Sequence, residues 1–160
     1  MEQSLSRRAW LSALAGGAGA LSAACQSSGA TEVTTPGGRV IQWEGDELIV
    51  LLSGVQQRYR PGDVLRLNVL VNNQSTKLVQ VRLRTKLLGL GDQPVVQAEP
   101  VVLTVKPEDA ASVDQELPTG RSLDPGDYTV SVEIPPWIVE TRESGSGARL
   151  RAPVKVDAAG

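Results

Sequence analysis

Leu65-Arg66-Leu67-Asn68-Val69-Leu70-Val71-Asn72 and, beyond a break at Asn73-Gln74-Ser75, Val79-Gln80-Val81-Arg82-Leu83-Arg84-Thr85-Lys86-Leu87 decide how this chain folds. In the first run Leu65, Leu67, Val69 and Val71 point one way, while Arg66, Asn68 and Asn72 point the other. In the second, Val79, Val81, Leu83, Thr85 and Leu87 alternate with Gln80, Arg82, Arg84 and Lys86. A period of two is the signature of a strand with one buried face, and helical spacing fits neither run. Working outward, further strands are expected at 48–52, 95–98, 101–105, 111–117, 128–134 and 149–156. Turn-formers separate them at Gly89-Leu90-Gly91-Asp92, Lys106-Pro107-Glu108-Asp109, Asp124-Pro125-Gly126-Asp127 and Ser144-Gly145-Ser146-Gly147.

Composition agrees. The 160 residues contain no Phe and only 3% aromatics against 41% hydrophobic residues, so the core must be built from Val, Leu and Ile, which suit pleated sheets. Ten Pro and 16 Gly fit short strands joined by tight turns. The expectation is an all-β fold, an antiparallel sandwich of about seven to nine strands. Tyr59-Arg60-Pro61-Gly62-Asp63-Val64 running into the first strand resembles the start of bacterial Ig-like domains of the adhesion-associated type. Leu123-Asp124-Pro125-Gly126-Asp127-Tyr128-Thr129-Val130 resembles the segment where such sandwiches place a corner tyrosine. The resemblance implies that Tyr128, introduced by Pro125 and Gly126, hydrogen-bonds backbone across the sheet junction. It covers about residues 40–156 and, as an architecture, carries no function.

The N-terminal part reads differently. Residues 1–24 have a charged start, an apolar Ala/Gly/Leu stretch and small residues before Cys25, the pattern of an export signal. The apolar part is too short and too rich in Gly and Ala for a comfortable membrane span. Ser6-Arg7-Arg8-Ala9-Trp10-Leu11 resembles the twin-arginine export motif, with Trp10 where Phe is usual. That class implies export after folding, sometimes with a cofactor already loaded; adjacent arginines also occur in general secretory signals. Leu21-Ser22-Ala23-Ala24-Cys25 resembles a bacterial lipobox, departing from it at Ser22 where Leu is more usual. The resemblance implies cleavage before Cys25, a diacylglyceryl group on its thiol and attachment to a membrane on the extracytoplasmic side, periplasmic or cell-surface. Residues 25–38, polar and turn-prone, are expected to be a flexible tether, 39–157 the sandwich and 158–160 a tail.

The chain excludes much chemistry. With no His, neither a Ser-His-Asp nor a Cys-His arrangement can form, and the commonest metal ligand is missing. The single Cys lies in the lipobox-like motif. None of Lys77, Lys86, Lys106 and Lys155 stands in a Ser-x-x-Lys spacing. Glu108, Asp109, Asp124 and Asp127 lie in Pro/Gly turns, where acids cap backbone amides. Removing Glu2, Arg7 and Arg8 with the leader leaves 14 basic and 17 acidic residues, too mild a balance for nucleic-acid capture. No enzyme, metal site or cofactor is expected.

What remains are contact surfaces. Arg82, Arg84 and Lys86 form a basic row on one strand face, extended by Arg66 if its strand is a neighbour. Such a row fits an anionic headgroup, a polysaccharide or an acidic partner, and equally a solvated face whose charges discourage aggregation. Trp137, after Pro135-Pro136, and Trp43, beside Glu44-Gly45-Asp46, are candidate contact residues because Trp is prominent in binding hot spots; both are also candidates for core packing. The function expected is a lipid-anchored, non-catalytic interaction module contacting another envelope protein or a glycan. The alternatives are a small β-sandwich proteinase inhibitor using a loop such as 144–147, or an accessory subunit of an envelope enzyme complex.

Overall fold

The computed structural model describes residues 30–45, 47–118 and 123–159. The leader, the twin-arginine-like residues Ser6 to Leu11 and Cys25 lie outside them.

Thirteen strands are present among the described residues, with no α-helix. They are β1 (Ala30–Thr35), β2 (Gly38–Gly45), β3 (Leu48–Ser53), β4 (Arg58–Tyr59), β5 (Val64–Asn73), β6 (Val79–Leu88) and β7 (Pro94–Gln97). They continue as β8 (Val101–Val105), β9 (Ala110–Pro118), β10 (Gly126–Ile134), β11 (Trp137–Val139), β12 (Arg142–Ser144) and β13 (Ala148–Val156). One sheet has the order β1-β2-β3-β5-β9. In the other, β6 pairs along one edge with β10 and then β11 and along the opposite edge with β7 and then β8; β13 and β4 continue outward from β10, and β12 from β11. All pairs are antiparallel except β13 with β4. The central strands β3, β5 and β9 of one sheet and β6, β10 and β13 of the other occupy the places of A-B-E and C-F-G in an Ig-like sandwich.

All eight strands expected from alternation are present, within a residue or two at each end. The count exceeds the expected seven to nine because punctuation divides strands without ending pairing. Pro135-Pro136 hands the edge of β6 from β10 to β11, and Glu99-Pro100 separates β7 from β8. The tether expected over 25–38 is corrected from Ala30 onward. Thr31, Val33, Thr34 and Thr35 are β-branched, and the run pairs through its whole length with β2 across the two-residue turn Pro36-Gly37. Arg39 then fixes this hairpin to the opposite sheet, both terminal guanidinium nitrogens donating to the Pro153 carbonyl at 2.9 Å. The sandwich therefore includes residues 30–38 as well as those from 39 onward.

The core lies between the sheets. Leu65, Leu67, Val69 and Val71 of β5 face Val79, Val81, Leu83 and Leu87 of β6, all buried. Each fully buried Val or Leu contributes roughly 1.5–3 kcal/mol, so these eight alone are a large part of the driving force. Thr85, inward as expected, donates its hydroxyl to the Gln115 side chain on β9, a buried hydrogen bond joining the two sheets. Tyr128 Oη donates to the Asp124 carbonyl at 2.7 Å. This is the corner tyrosine that the sequence announced, though its bond closes the loop before β10 rather than crossing between sheets.

Tyr59, on β4, is buried, and its Oη accepts from the Gln56 amide at 2.8 Å. Burial raises its pKa above the ordinary value, the Gln56 bond opposing this in part. Because the folded value is the higher, the unfolded chain ionises first. This contribution is complete below the unfolded value of about 10 and declines as pH rises above it. Tyr59→Phe is expected to cost about 1 kcal/mol at neutral pH through the orphaned amide. Its urea midpoint should also fall less than that of the wild type between about pH 9 and about pH 11; equal falls would contradict this.

Candidate interaction surface

The outer face of the eight-stranded sheet is where charge collects. Strand alternation turns Arg82, Arg84 and Lys86 of β6 and Arg149, Arg151 and Lys155 of β13 to this side, while β10 between them contributes Asp127 and Glu133. On these three strands six cations stand against two acids, and β12 adds a third acid, Glu143; the face is basic on a chain whose net charge is −2. Cross-strand register arranges them in rows. Arg84, Glu133 and Arg149 stand side by side on β6, β10 and β13; two residues along, so do Lys86, Ser131 and Arg151. Adjacent strands are about 4.8 Å apart, so members of a row are neighbours.

Two carboxylates are already engaged, while Asp127 and Glu143 make no ion pair among the described residues. Glu133 reaches Arg149 at 3.3 Å and Lys86 at 3.9 Å, and Asp92, from the 3₁₀ turn Leu90–Asp92, reaches Arg151 at 2.6 Å. Arg82 and Arg84 are exposed and have no carboxylate within ion-pair distance among the described residues. The structure thus keeps the Arg82–Arg84–Lys86 row together but differentiates it: Lys86 is half-buried and paired, the two arginines are not. Arg66 does not extend the row. It lies on β5 in the other sheet, paired with Glu116 at 3.0 Å.

Two clefts meet at Arg84 and the Pro135-Pro136 bend. The larger, about 630 Å³, is lined among others by Trp43, Arg84, Glu133 and Arg149. The smaller, about 340 Å³, is lined among others by Arg82, Arg84, Val102, Ile138 and Glu143 with the two prolines. Val102 and Ile138 are 49% and 42% exposed, unusual for large aliphatics. The surface thus offers unneutralised guanidinium groups beside apolar walls. It is equipped to hold an anionic group and an attached apolar one.

Of the two roles open to the tryptophans, the structure shows core packing. Trp137 and Trp43 are 2% and 7% exposed and meet edge to face with ring centroids 5.9 Å apart, β11 of one sheet against β2 of the other. With no Phe in the chain, this pair closes one end of the core, and Trp43 reaches only the floor of the larger cleft. Loop 144–147 is drawn down over them. A Cβ on Gly145 would lie 2.3 Å from the Trp137 ring, and one on Gly147 would lie 2.8 Å from the Ile134 carbonyl oxygen. A loop pressed onto its own core is not the projecting loop that a proteinase inhibitor inserts.

Among the described residues no three His, Cys, Asp or Glu side chains come together as a metal site would require. Nor is any helix among them long and apolar enough to cross a membrane.

No protein-family model matches the sequence, and no curated protein matches it. Solved structures do. The β-glucosidase of Listeria innocua in complex with isofagomine aligns with a TM-score of 0.55 at 16% identity. A mutant of that enzyme bound to laminaribiose gives 0.55, and the enzyme crystallised alone gives 0.54, each again at 16% identity. The alignment covers 70% of this chain and only 16% of the β-glucosidase. The likeness is one of fold, to a small part of a large enzyme.

Proposed function

We propose that this protein is a non-catalytic interaction module of the cell envelope, exported by a twin-arginine-type leader and held to a membrane through lipid on Cys25. Its working surface is the outer face of the eight-stranded sheet. The observation that carries this reading is the pair Arg82 and Arg84, exposed and without a carboxylate partner, on a cleft walled by exposed Val102 and Ile138. A solvated face kept only for solubility has no need to combine unneutralised arginines with exposed aliphatics; a docking face uses both. The partner is an acidic envelope component: another protein, an enzyme subunit included, or an anionic glycan.

The first hairpin sets how the module stands. Five peptide steps separate Cys25 from Ala30, a reach of at most about 18 Å even when fully extended. Ala30 lies opposite Trp43 in register. A lipid on Cys25 would therefore hold the Trp43 end of the sandwich close to the bilayer, with the basic face directed sideways toward neighbouring envelope components.

Arg82→Glu with Arg84→Glu tests the surface. Neither residue has an ion pair to lose among the described residues, so the circular dichroism spectrum and thermal midpoint should stay close to those of the wild type. Recovery of a crosslinked partner should fall at least about tenfold, since removing one good charged contact alone is worth about that much. Unchanged recovery would remove this face from the account.

A further inference from the structure

The two rows on the basic face have the same design with one difference. In the first, a carboxylate, Glu133, stands between Arg84 and Arg149; in the second, the middle position between Lys86 and Arg151 is a hydroxyl, Ser131. Ser131 is 1% exposed although it faces outward, and its Oγ has no hydrogen-bond partner. The Nε of Arg151 beside it is likewise buried and unpartnered. Both atoms are donors, and a buried donor without an acceptor is costly. They border a cleft of about 190 Å³ that is also lined by Lys86, Asp92, Glu133 and Arg149.

We infer that this cleft is a site for a small tetrahedral oxyanion, inorganic phosphate or the phosphate of a monoester, which takes in the Ser131 row the place that Glu133 holds in the neighbouring one. The charge count favours an anion: of the cleft's own lining, Lys86, Arg149 and Arg151 are met by Glu133 and Asp92, leaving an excess of one positive charge, and Arg84 flanks Glu133 in the neighbouring row. The geometry favours a tetrahedral group. The donors come from three adjacent strands, with Ser131 on the floor and Lys86 and Arg151 to either side, so oxygens pointing in different directions are each met. Asp92 is the competing acceptor. It holds a terminal nitrogen of Arg151 from an exposed turn and leaves Nε for the ligand. The inference rests on reading this face as one that takes anions, but it does not depend on what the partner is.

The test is a titration of the protein with inorganic phosphate, followed by NMR at the Arg151 Nε–H and the Ser131 amide, with chloride at matched ionic strength as control. Saturable shifts with phosphate and none with chloride are expected. Ser131→Asp builds the missing carboxylate into the row; it should abolish the phosphate shifts while raising the thermal midpoint. Ser131→Ala, which removes one donor and adds no charge, should weaken binding without abolishing it and serves if the Asp variant does not fold. Absence of saturable shifts in the wild type, or shifts that persist unchanged in a folded Ser131 variant, would overturn the site. With the site established, vesicles containing phosphatidic acid distinguish its sources. Binding lost with Ser131→Asp assigns a lipid headgroup, and vesicle binding unaffected by it assigns a free phosphate or soluble monoester. A protein that binds phosphate but captures no partner keeps this site and loses the docking reading; one that captures a partner but binds no phosphate does the reverse.

Discussion

Gly145→Ala is expected to destabilise the domain by about 3 kcal/mol, one of the two largest effects of a single substitution that the structure predicts. Two terms add. Gly145 has φ +76°, in the left-handed region where a Cβ costs roughly 1–2 kcal/mol. The added carbon would also lie 2.3 and 2.4 Å from two atoms of the Trp137 ring. That ring cannot give way, because it is 2% exposed and held edge-on by Trp43; overpacking of this kind costs typically about 1–3 kcal/mol. Gly62→Ala separates the terms, since Gly62 has φ +89° and nothing within 4 Å of its missing Cβ. Urea denaturation should show Gly62→Ala losing about 1–2 kcal/mol and Gly145→Ala clearly more. Equal losses would mean that loop 144–147 lifts freely from the tryptophan and is free to project.

Asn73→Ala should cost as much or more, about 3–4 kcal/mol. Asn73 is fully buried, and its amide joins two turns, β5–β6 and β8–β9, at one end of the sandwich. Nδ2 donates to the carbonyls of Lys77 at 2.7 Å and of Val105 and Lys106 at 3.1 Å, while Oδ1 accepts from the Ser75 amide at 2.9 Å and the Ser75 hydroxyl at 2.7 Å. Truncation leaves several buried backbone groups unsatisfied at once, each worth about 1–3 kcal/mol before relaxation. Asn73→Asp should be worse at neutral pH, because a buried carboxylate would then face three carbonyl oxygens with no proton to offer. An Asp variant more stable than the Ala variant at neutral pH would contradict this.

These two residues show where sequence reading stops. Alternation located β5 and β6 and sorted their inward from their outward side chains, because burial of one sheet face imposes a period of two on the chain itself. It could not say which sheet a strand joins. Arg66 and Arg82 both read as outward and are outward, yet they lie on opposite faces of the molecule. Asn73 was legible only as an end to alternation; its role depends on carbonyls more than thirty residues away. Trp137 after two prolines looks like a loop residue, and only the packing of Gly145 and Trp43 against it makes it core. The first hairpin was hidden because Pro36-Gly37-Gly38 dominates a run of small polar residues, although its threonines and valine are sound strand formers. Ser131 alternates with the inward Val130 and Val132 and so lies on the outward face, but its burial between Lys86 and Arg151 is a matter of register, which no single strand encodes.

The central claim, an anchored docking module, is tested most directly by in-cell crosslinking of the full-length protein followed by mass spectrometry. Wild type is compared with Arg82→Glu/Arg84→Glu and with Cys25→Ala. The account predicts one discrete envelope partner or anionic glycan crosslinked to the wild type through β6 and its flanking clefts, lost in the double arginine variant and lost or scattered when the anchor cysteine is replaced. A partner recovered equally from all three proteins, or one crosslinked through the opposite sheet, would contradict it.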